Sequence, residues 1–196
     1  MPSLSPLTTP VVIVSGNPRA ASRTLAVAQT LAARLTARLD IGAVGADDVA
    51  IDVIELSDLA HELFAAERPA ADAALRRLAS APLAVVATPV YKASYTGLLK
   101  AFLDLYGPDG LAGVVVVPVV VSGNPAHALA GEAHLRPVLV ELGAIVPTRT
   151  FAVTEAQLAD LDAVTDAWVT RHLSALARTL GTPEPGASRP LVEVAR

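Results

Sequence analysis

The chain contains no cysteine. Disulfide frameworks, thiolate nucleophiles and cysteine-ligated metals are therefore excluded outright, which agrees with a cytoplasmic setting. Aromatic residues are scarce at 4% with a single tryptophan, and the 15 basic residues are outnumbered by 19 acidic ones. With a net charge of −4 and an isoelectric point near 5.5, and with no basic run or aromatic ladder, neither a nucleic acid nor an anionic membrane is expected as the main partner. Long hydrophobic runs are missing as well. The longest apolar block, Leu111 to Val121, is interrupted by Gly113 and Pro118 and falls far short of the roughly 18 residues of a membrane span. The opening Met1-Pro2-Ser3-Leu4-Ser5-Pro6 has neither the basic nor the apolar region of a signal peptide, and residues 1–9 read as a short disordered lead.

What the chain does have is a large aliphatic fraction. At 196 residues and 53% hydrophobic, with a mean hydropathy of +0.50, it can bury one α/β core over residues 10–180 and is too short for two comfortable ones. The excess is alanine and valine. Apolar β-branched runs at Val11–Val14, Ala50–Leu56, Leu83–Thr88, Val114–Val121 and Ala144–Val153 predict five strands, the third and fourth too continuously apolar to face water. Between them Ser22–Leu39, Pro69–Ser80, Ser94–Tyr106, Ala126–Leu142 and Glu155–Leu180 carry helical spacing. Strict alternation implies a parallel sheet covered on both faces by right-handed crossovers. The expected fold is α/β, a doubly wound five-stranded domain; in its flavodoxin-like form this is a three-layer α/β/α sandwich with strand order 2-1-3-4-5. The tail 181–196, with Pro183, Pro185 and Pro190, reads as flexible or packed against a neighbouring subunit.

The most informative stretch is Val11 through Thr24, a buried strand entering a turn rich in hydroxyls and arginine and then a helix. Helix N-termini expose unpaired N–H groups and the positive end of the dipole. Ser15, Arg19, Ser22, Arg23 and Thr24 add donors around it. The glycine pattern is neither the G-x-G-x-x-G of a dinucleotide fold nor the G-x-x-x-x-G-K-[ST] of a P-loop. One glycine with hydroxyls and two arginines suits a terminal phosphate monoester. The alternative is that Ser22 only caps a helix and the arginines are solvated.

In a doubly wound sheet, ligands bind beyond the carboxyl ends of the strands at the switch point, here between the first and third strands. The loop after the third strand, Thr88 through Gly97, converges there with the phosphate turn. Thr88 is held extended by the following proline, so that Pro89, Val90 and Tyr91 form a wall suited to a flat ring. The loop after the fourth strand, Val121-Ser122-Gly123-Asn124-Pro125, reads either as an ordinary turn or as a place where backbone N–H groups at Ser122 and Gly123 meet that ring.

These motifs resemble the NAD(P)H-dependent FMN reductases of flavodoxin-like fold, most closely the flavin reductases of two-component alkanesulfonate monooxygenase systems. The likeness lies in Gly16-Asn17-Pro18-Arg19-Ala20-Ala21-Ser22-Arg23-Thr24, in Thr88 through Lys100, and in the helix leading from His127 to Leu135-Arg136-Pro137; it covers roughly residues 10–175. The resemblance implies that Ser15, Arg19, Ser22, Arg23 and Thr24 surround the FMN phosphate and that Pro89, Val90 and Tyr91 lie along the isoalloxazine. Lys92 is included on the same wall, with solvent exposure as its alternative, and Tyr95 is open to subunit packing. Three departures stand out: Asn17 in place of the usual serine, Val-Ser-Gly where many relatives have Thr-Gly-Gly, and Ala133 beside His134 where some carry an aromatic residue.

The implied chemistry is hydride transfer from C4 of NADPH or NADH to N5 of FMN, with the rings stacked and the N–H groups around Ser122 and Gly123 facing the charge that develops near N1. No catalytic side chain and no metal are expected. His61, His127, His134 and His172 lack metal-ligand spacing, and Asp47, Asp48, Asp160 and Asp162 read as solvated charges. The resemblance further implies a homodimer or homotetramer, to which Leu98, Leu99, Phe102 and Tyr106 contribute either contacts or plain core, and a flavin-dependent monooxygenase as recipient. The alternatives are a quinone, azo or chromate reductase with tightly bound FMN, a flavodoxin-like electron carrier, or a non-enzymatic interaction protein. Val90, Lys92 and Leu105 stand where quinone-reducing relatives differ.

Overall fold

The computed structural model describes residues 11–39 and 51–182; the expected lead, the Asp47-Asp48 pair and the tail beyond Thr182 lie outside the described residues. Five strands, β1 (Val11–Ser15), β2 (Ile51–Glu55), β3 (Leu83–Pro89), β4 (Val115–Ser122) and β5 (Phe151–Thr154), form one sheet in the order β2-β1-β3-β4-β5. Every pairing is parallel, and the 2-1-3-4-5 order of the flavodoxin-like expectation is the one present. The helices are α1 (Arg23–Leu39), α2 (Leu56–Leu59), α3 (Pro69–Ala79), α4 (Gly97–Leu103), α5 (Arg136–Glu141) and α6 (Leu161–Leu180). None of the described helices is long and apolar enough to cross a membrane.

Because successive residues of a strand point to opposite faces, each central strand feeds two cores. Val11, Ile13, Val85 and Val117 meet Val27, Leu31 and Leu35 of α1 and Val169 and Leu176 of α6. Val12, Val14, Val86 and Val116 meet Leu78 of α3, Leu99 and Phe102 of α4 and Leu139 of α5. Every residue of β1, β3 and β4 is buried, which explains their unbroken apolar reading.

Several boundaries differ from the sequence expectation. β3 continues through Thr88 to Pro89, and the N–H of Val90 still donates to Val121 O at 2.9 Å. α4 begins at Gly97 rather than Ser94, because Tyr91–Ser94 closes a tight turn and Thr96 caps the helix. α2 lacks the length to register as helical spacing, and the first turn of the last helix, Glu155–Asp160, is 3₁₀ rather than α. The helix expected over Ala126–Leu142 is broken into a 3₁₀ turn (Pro125–His127), a π-helical segment (Gly131–Leu135) and α5.

The fifth strand is the largest correction. Expected over Ala144–Val153, it touches β4 once at Val115↔Ile145, departs, and returns as Phe151–Thr154 in register from Val119↔Phe151. Pro118 explains where. Val116 N–H donates toward Ile145 while Val115 N–H donates to Pro82, so by alternation position 118 faces the fifth strand and, being proline, offers it no donor. The departing backbone is satisfied from the broken helix. Arg136 Nη1 and Nη2 donate to the carbonyls of Thr148 (2.5 Å) and Val146 (2.6 Å), and Glu132 Oε1 accepts from Thr150 N–H at 2.5 Å. Gly131 completes the fit, since a Cβ there would fall 2.3 Å from Thr150 Cγ2. Arg136→Ala strips both carbonyls of a charged donor and is expected to lower the unfolding free energy by about 1.5–3 kcal/mol, read as a fall in the urea midpoint. Arg136→Lys, with no planar fork to span two carbonyls, recovers only part; an unchanged midpoint in Arg136→Ala would show that the guanidinium does not hold this excursion.

Candidate functional site

At the β1/β3 switch point lies a crevice of about 400 Å³, lined by Asn17, Arg19 through Thr24, Pro89, Tyr91, Val121 and Glu155. Its first wall is the turn between β1 and α1. Asn17 organises it: the side-chain Oδ1 accepts from Arg19 N–H at 3.0 Å and Nδ2 donates to Thr24 Oγ1 at 3.1 Å. Ser22 Oγ accepts from Leu25 N–H at 3.2 Å, so Ser22 does cap α1. That bond uses the oxygen as acceptor and leaves the hydroxyl proton available, and the same holds for Thr24. Capping and ligand binding are therefore compatible roles. Arg19 is exposed and makes no side-chain hydrogen bond or ion pair among the described residues. Ser15, fully buried at the end of β1, has an Oγ with no hydrogen-bond partner among the described residues.

The second wall comes from the β3–α4 loop. Tyr91 and Ser94 exchange backbone hydrogen bonds of 2.8 and 3.1 Å around Lys92 (φ 50°) and Ala93 (φ 64°). Two consecutive positive φ values define a type I′ turn, which ordinarily takes Asn-Gly. Built from Lys-Ala it stores strain, a feature found where side-chain placement matters more than stability. Thr96 ties this wall to the first. Its Oγ1 donates to Gly16 O at 2.6 Å and accepts from Leu99 N–H at 3.2 Å, while Thr96 N–H donates to Thr88 Oγ1 at 3.1 Å. Gly16 N–H donates to Ala87 O at 2.7 Å. A Cβ on Gly16 would lie 2.8 Å from Leu99 Cβ, so only glycine lets the turn approach α4 this closely.

Of the residues expected at the site, Arg19, Ser22, Arg23, Thr24, Pro89 and Tyr91 share the crevice. Ser15 lies behind the turn, and Val90 and Lys92 flank the wall without lining the crevice. Ser122 is buried and donates to Asn124 O at 3.0 Å. Gly123 is exposed, and the nearest atom to a Cβ built there, its chain neighbours aside, is Glu155 Cδ at 4.0 Å. That leaves room beside its backbone.

Glu55, Thr96 and Glu155 are site residues that the sequence reading does not single out, and Asn17 stands out there only as a departure from serine. Glu55 Oε2 accepts from Ala21 N–H at 3.0 Å, holding Ala21 at φ 48°. Glu155 Oε1 accepts from Arg23 Nη2 at 2.8 Å. Both glutamates were findable, because Glu55 ends β2 and Glu155 follows β5, and the carboxyl ends of the strands are where such sites gather. Thr96 before Gly-Leu-Leu is an N-cap signal. The perturbed titratable groups lie away from the crevice. Burial raises the Tyr106 and Tyr95 phenols, the hydrogen bond to Asp104 raises Lys100, and burial with Arg171 and Arg149 lowers His172, whose ring lies tilted against Trp168. Among the described residues no three His, Asp or Glu side chains gather as metal ligands.

This donor set fits a phosphate monoester. Two arginines, two available hydroxyls and the N-terminus of a 17-residue helix meet at one wall, and carboxylates already take two of its donors. The apolar groups of Pro89, Tyr91 and Val121 face the same space. Fold and site together define a flavodoxin-like α/β protein whose switch-point crevice sets a donor-rich turn against an apolar wall. Residues 9–158 match the NADPH-dependent FMN reductase family, and the chain belongs to it. It is 38% identical over 156 residues to the NADH-dependent FMN reductase SfnF of Pseudomonas fluorescens, covering 76% of this chain and 79% of that one. It is 36% identical to the FMN reductase (NADPH) of Escherichia coli, covering 68% and 67%. Among solved structures, an NADH:FMN oxidoreductase in its apo form superposes with a TM-score of 0.67 at 31% identity, covering 94% of this chain and 98% of that one. An oxidoreductase from Corynebacterium diphtheriae superposes at 0.74 with 30% identity, covering 87% and 96%.

Two outcomes follow from the geometry. Thr96→Val removes a helix cap and the bond to Gly16 together and is expected to cost about 2–3 kcal/mol of stability, measured by chemical unfolding. Ala93→Gly relieves a left-handed alanine and, after the added chain entropy of glycine, is expected to stabilise by about 0.5–1 kcal/mol. A lower unfolding midpoint for Ala93→Gly would show that the turn is not strained.

Proposed function

We propose that this chain reduces FMN at the expense of NADPH or NADH and delivers the reduced flavin to a separate flavin-dependent monooxygenase, working as a homodimer or homotetramer. The observation that carries this reading is the facing of a phosphate-type turn and an apolar wall across one crevice, in a chain of the FMN reductase family. Arg19, Ser22, Arg23, Thr24 and the N–H groups opening α1 would hold the phosphate, with Ser15 supporting the turn from behind. Pro89, Val90 and Tyr91 would border the ring, Lys92 would cover its edge, and Ser122 and Gly123 would offer backbone N–H groups on the far side. When bound, FMN supplies the N5 acceptor for a hydride from nicotinamide C4. The protein's own contribution is proximity and orientation. No general acid or base is required of it.

The test is NAD(P)H oxidation by extensively desalted protein with and without added FMN. Turnover that depends on added FMN and saturates in it supports a reductase that handles flavin as a substrate. Activity that needs no added flavin and rises with a quinone indicates retained FMN and a different terminal acceptor. Within the reductase reading, Arg19→Ala is expected to weaken FMN binding by about 1.5–3 kcal/mol, the worth of a hydrogen bond to a charged group, and to leave riboflavin, which has no phosphate, unchanged. An FMN titration identical to that of the unmodified protein would remove Arg19 from the phosphate subsite.

A further inference from the structure

The guanidinium of Arg23 is not waiting for a ligand. Its Nη2 donates to Glu155 Oε1 at 2.8 Å, across 132 residues of sequence. Arg23 opens α1, Glu155 follows β5, and both line the crevice. The carboxylate carbon also lies 4.0 Å from where a side chain at Gly123 would begin. The pair therefore reaches across the mouth of the crevice, from the phosphate turn to the side of the loop after β4.

Local structure does not account for Glu155. The 3₁₀ turn it opens is capped by its neighbours: Thr154 N–H donates to Gln157 Oε1 at 2.9 Å, and the Thr154 side chain completes the box. The ion pair is also weak by nature. Its side chains are 64% and 48% exposed, a setting in which ion pairs contribute little. A phosphate monoester brings a charge of about −1.5 to −2 and three acceptor oxygens, so at Arg23 it outcompetes a single carboxylate. The displaced glutamate stays tethered at the rim as a like charge, which opposes the phosphate it has made way for.

We propose that Glu155 is a built-in competitor for the flavin phosphate: it holds Arg23 until phosphate displaces it, and so weakens FMN binding and speeds FMN release. The proposal rests on the FMN reductase reading and adds to it a residue that sets flavin affinity through the phosphate alone.

The test compares Glu155→Gln with the unmodified chain, measuring FMN and riboflavin dissociation constants by flavin fluorescence at fixed ionic strength. The expected result is three- to tenfold tighter FMN with a correspondingly slower dissociation rate in stopped flow, and riboflavin affinity unchanged within twofold. In an Arg23→Ala background the gain from Glu155→Gln should vanish. Unchanged or weaker FMN binding overturns the proposal. So does equal tightening of both flavins, which would make Glu155 a steric gate, or a gain that persists without Arg23, which would make it a diffuse charge effect. If the unmodified chain binds neither flavin, the reductase reading fails first, whereas FMN binding that ignores Glu155 removes this proposal alone.

Discussion

One hydroxyl group joins the two halves of the crevice. Thr96 Oγ1 accepts from Leu99 N–H to start α4 and donates to Gly16 O to fix the turn after β1. The turn and the wall belong to different strand-helix units, and loops alone would let them drift. Here the bond is buried, where an unmade hydrogen bond is expensive, and Gly16 is pressed against Leu99 with no space for a Cβ. The separation of the walls is therefore set by packing and not by loop conformation. The same rigidity supports the strained turn at Lys92 and Ala93, which is held at one end by Val90 N–H on Val121 O and closed by the reciprocal bonds of Tyr91 and Ser94.

The far side of the crevice depends on a second constraint, the proline in β4. Pro118 presents no donor to its neighbour, and the fifth strand leaves the sheet opposite it. Three residues of β4 between Val115 and Val119 face five between Ile145 and Phe151. An excess of two preserves the alternation of faces, so Phe151 and Val153 still point into the α1/α6 core. The chain then leaves the sheet at Thr154 with Glu155 at the crevice. The break in the preceding helix serves the same end: it places Glu132 and Arg136 where the excursion's backbone needs partners, as sheet hydrogen bonds would otherwise have provided them. A broken strand and a broken helix thus compensate each other.

The parts of this structure that follow from periodicity could be read from the sequence, and the parts that follow from single backbone groups could not. Continuous runs such as Leu83–Thr88 and Val114–Val121 announce buried parallel strands, and the strand-helix alternation implies a parallel, doubly wound sheet. The hydroxyl-rich turn and the Pro89-Val90-Tyr91 wall could be placed at the switch point by topology. The Ala144–Val153 run looks like one strand because side-chain pattern carries no trace of a missing N–H across the sheet; Pro118 held that information in the preceding strand. The Ala126–Leu142 stretch keeps helical composition through its π segment, since one extra residue in a turn hardly alters the apolar spacing. Asn17 was visible only as a departure from a serine. Its role needs both ends of its amide, one on Arg19 and one on Thr24, and that pairing is a property of the folded turn.

The glutamates show a further limit. Read as a sequence, the turn offers arginines and hydroxyls, and its affinity for an anion looks like their sum. In the folded chain Arg23 is paired with Glu155 and the N–H of Ala21 with Glu55. Binding a phosphate there is an exchange of anions, and its free energy is a difference between two sets of charge-assisted bonds. For a flavin handled as a substrate this matters, because interactions made equally in ground and transition states lower the concentration needed without speeding the reaction. A phosphate grip far from the reacting ring is of that kind. On the proposed function, offsetting it with a carboxylate of the protein's own would leave the crevice able to select a phosphorylated flavin while holding it no more tightly than release allows.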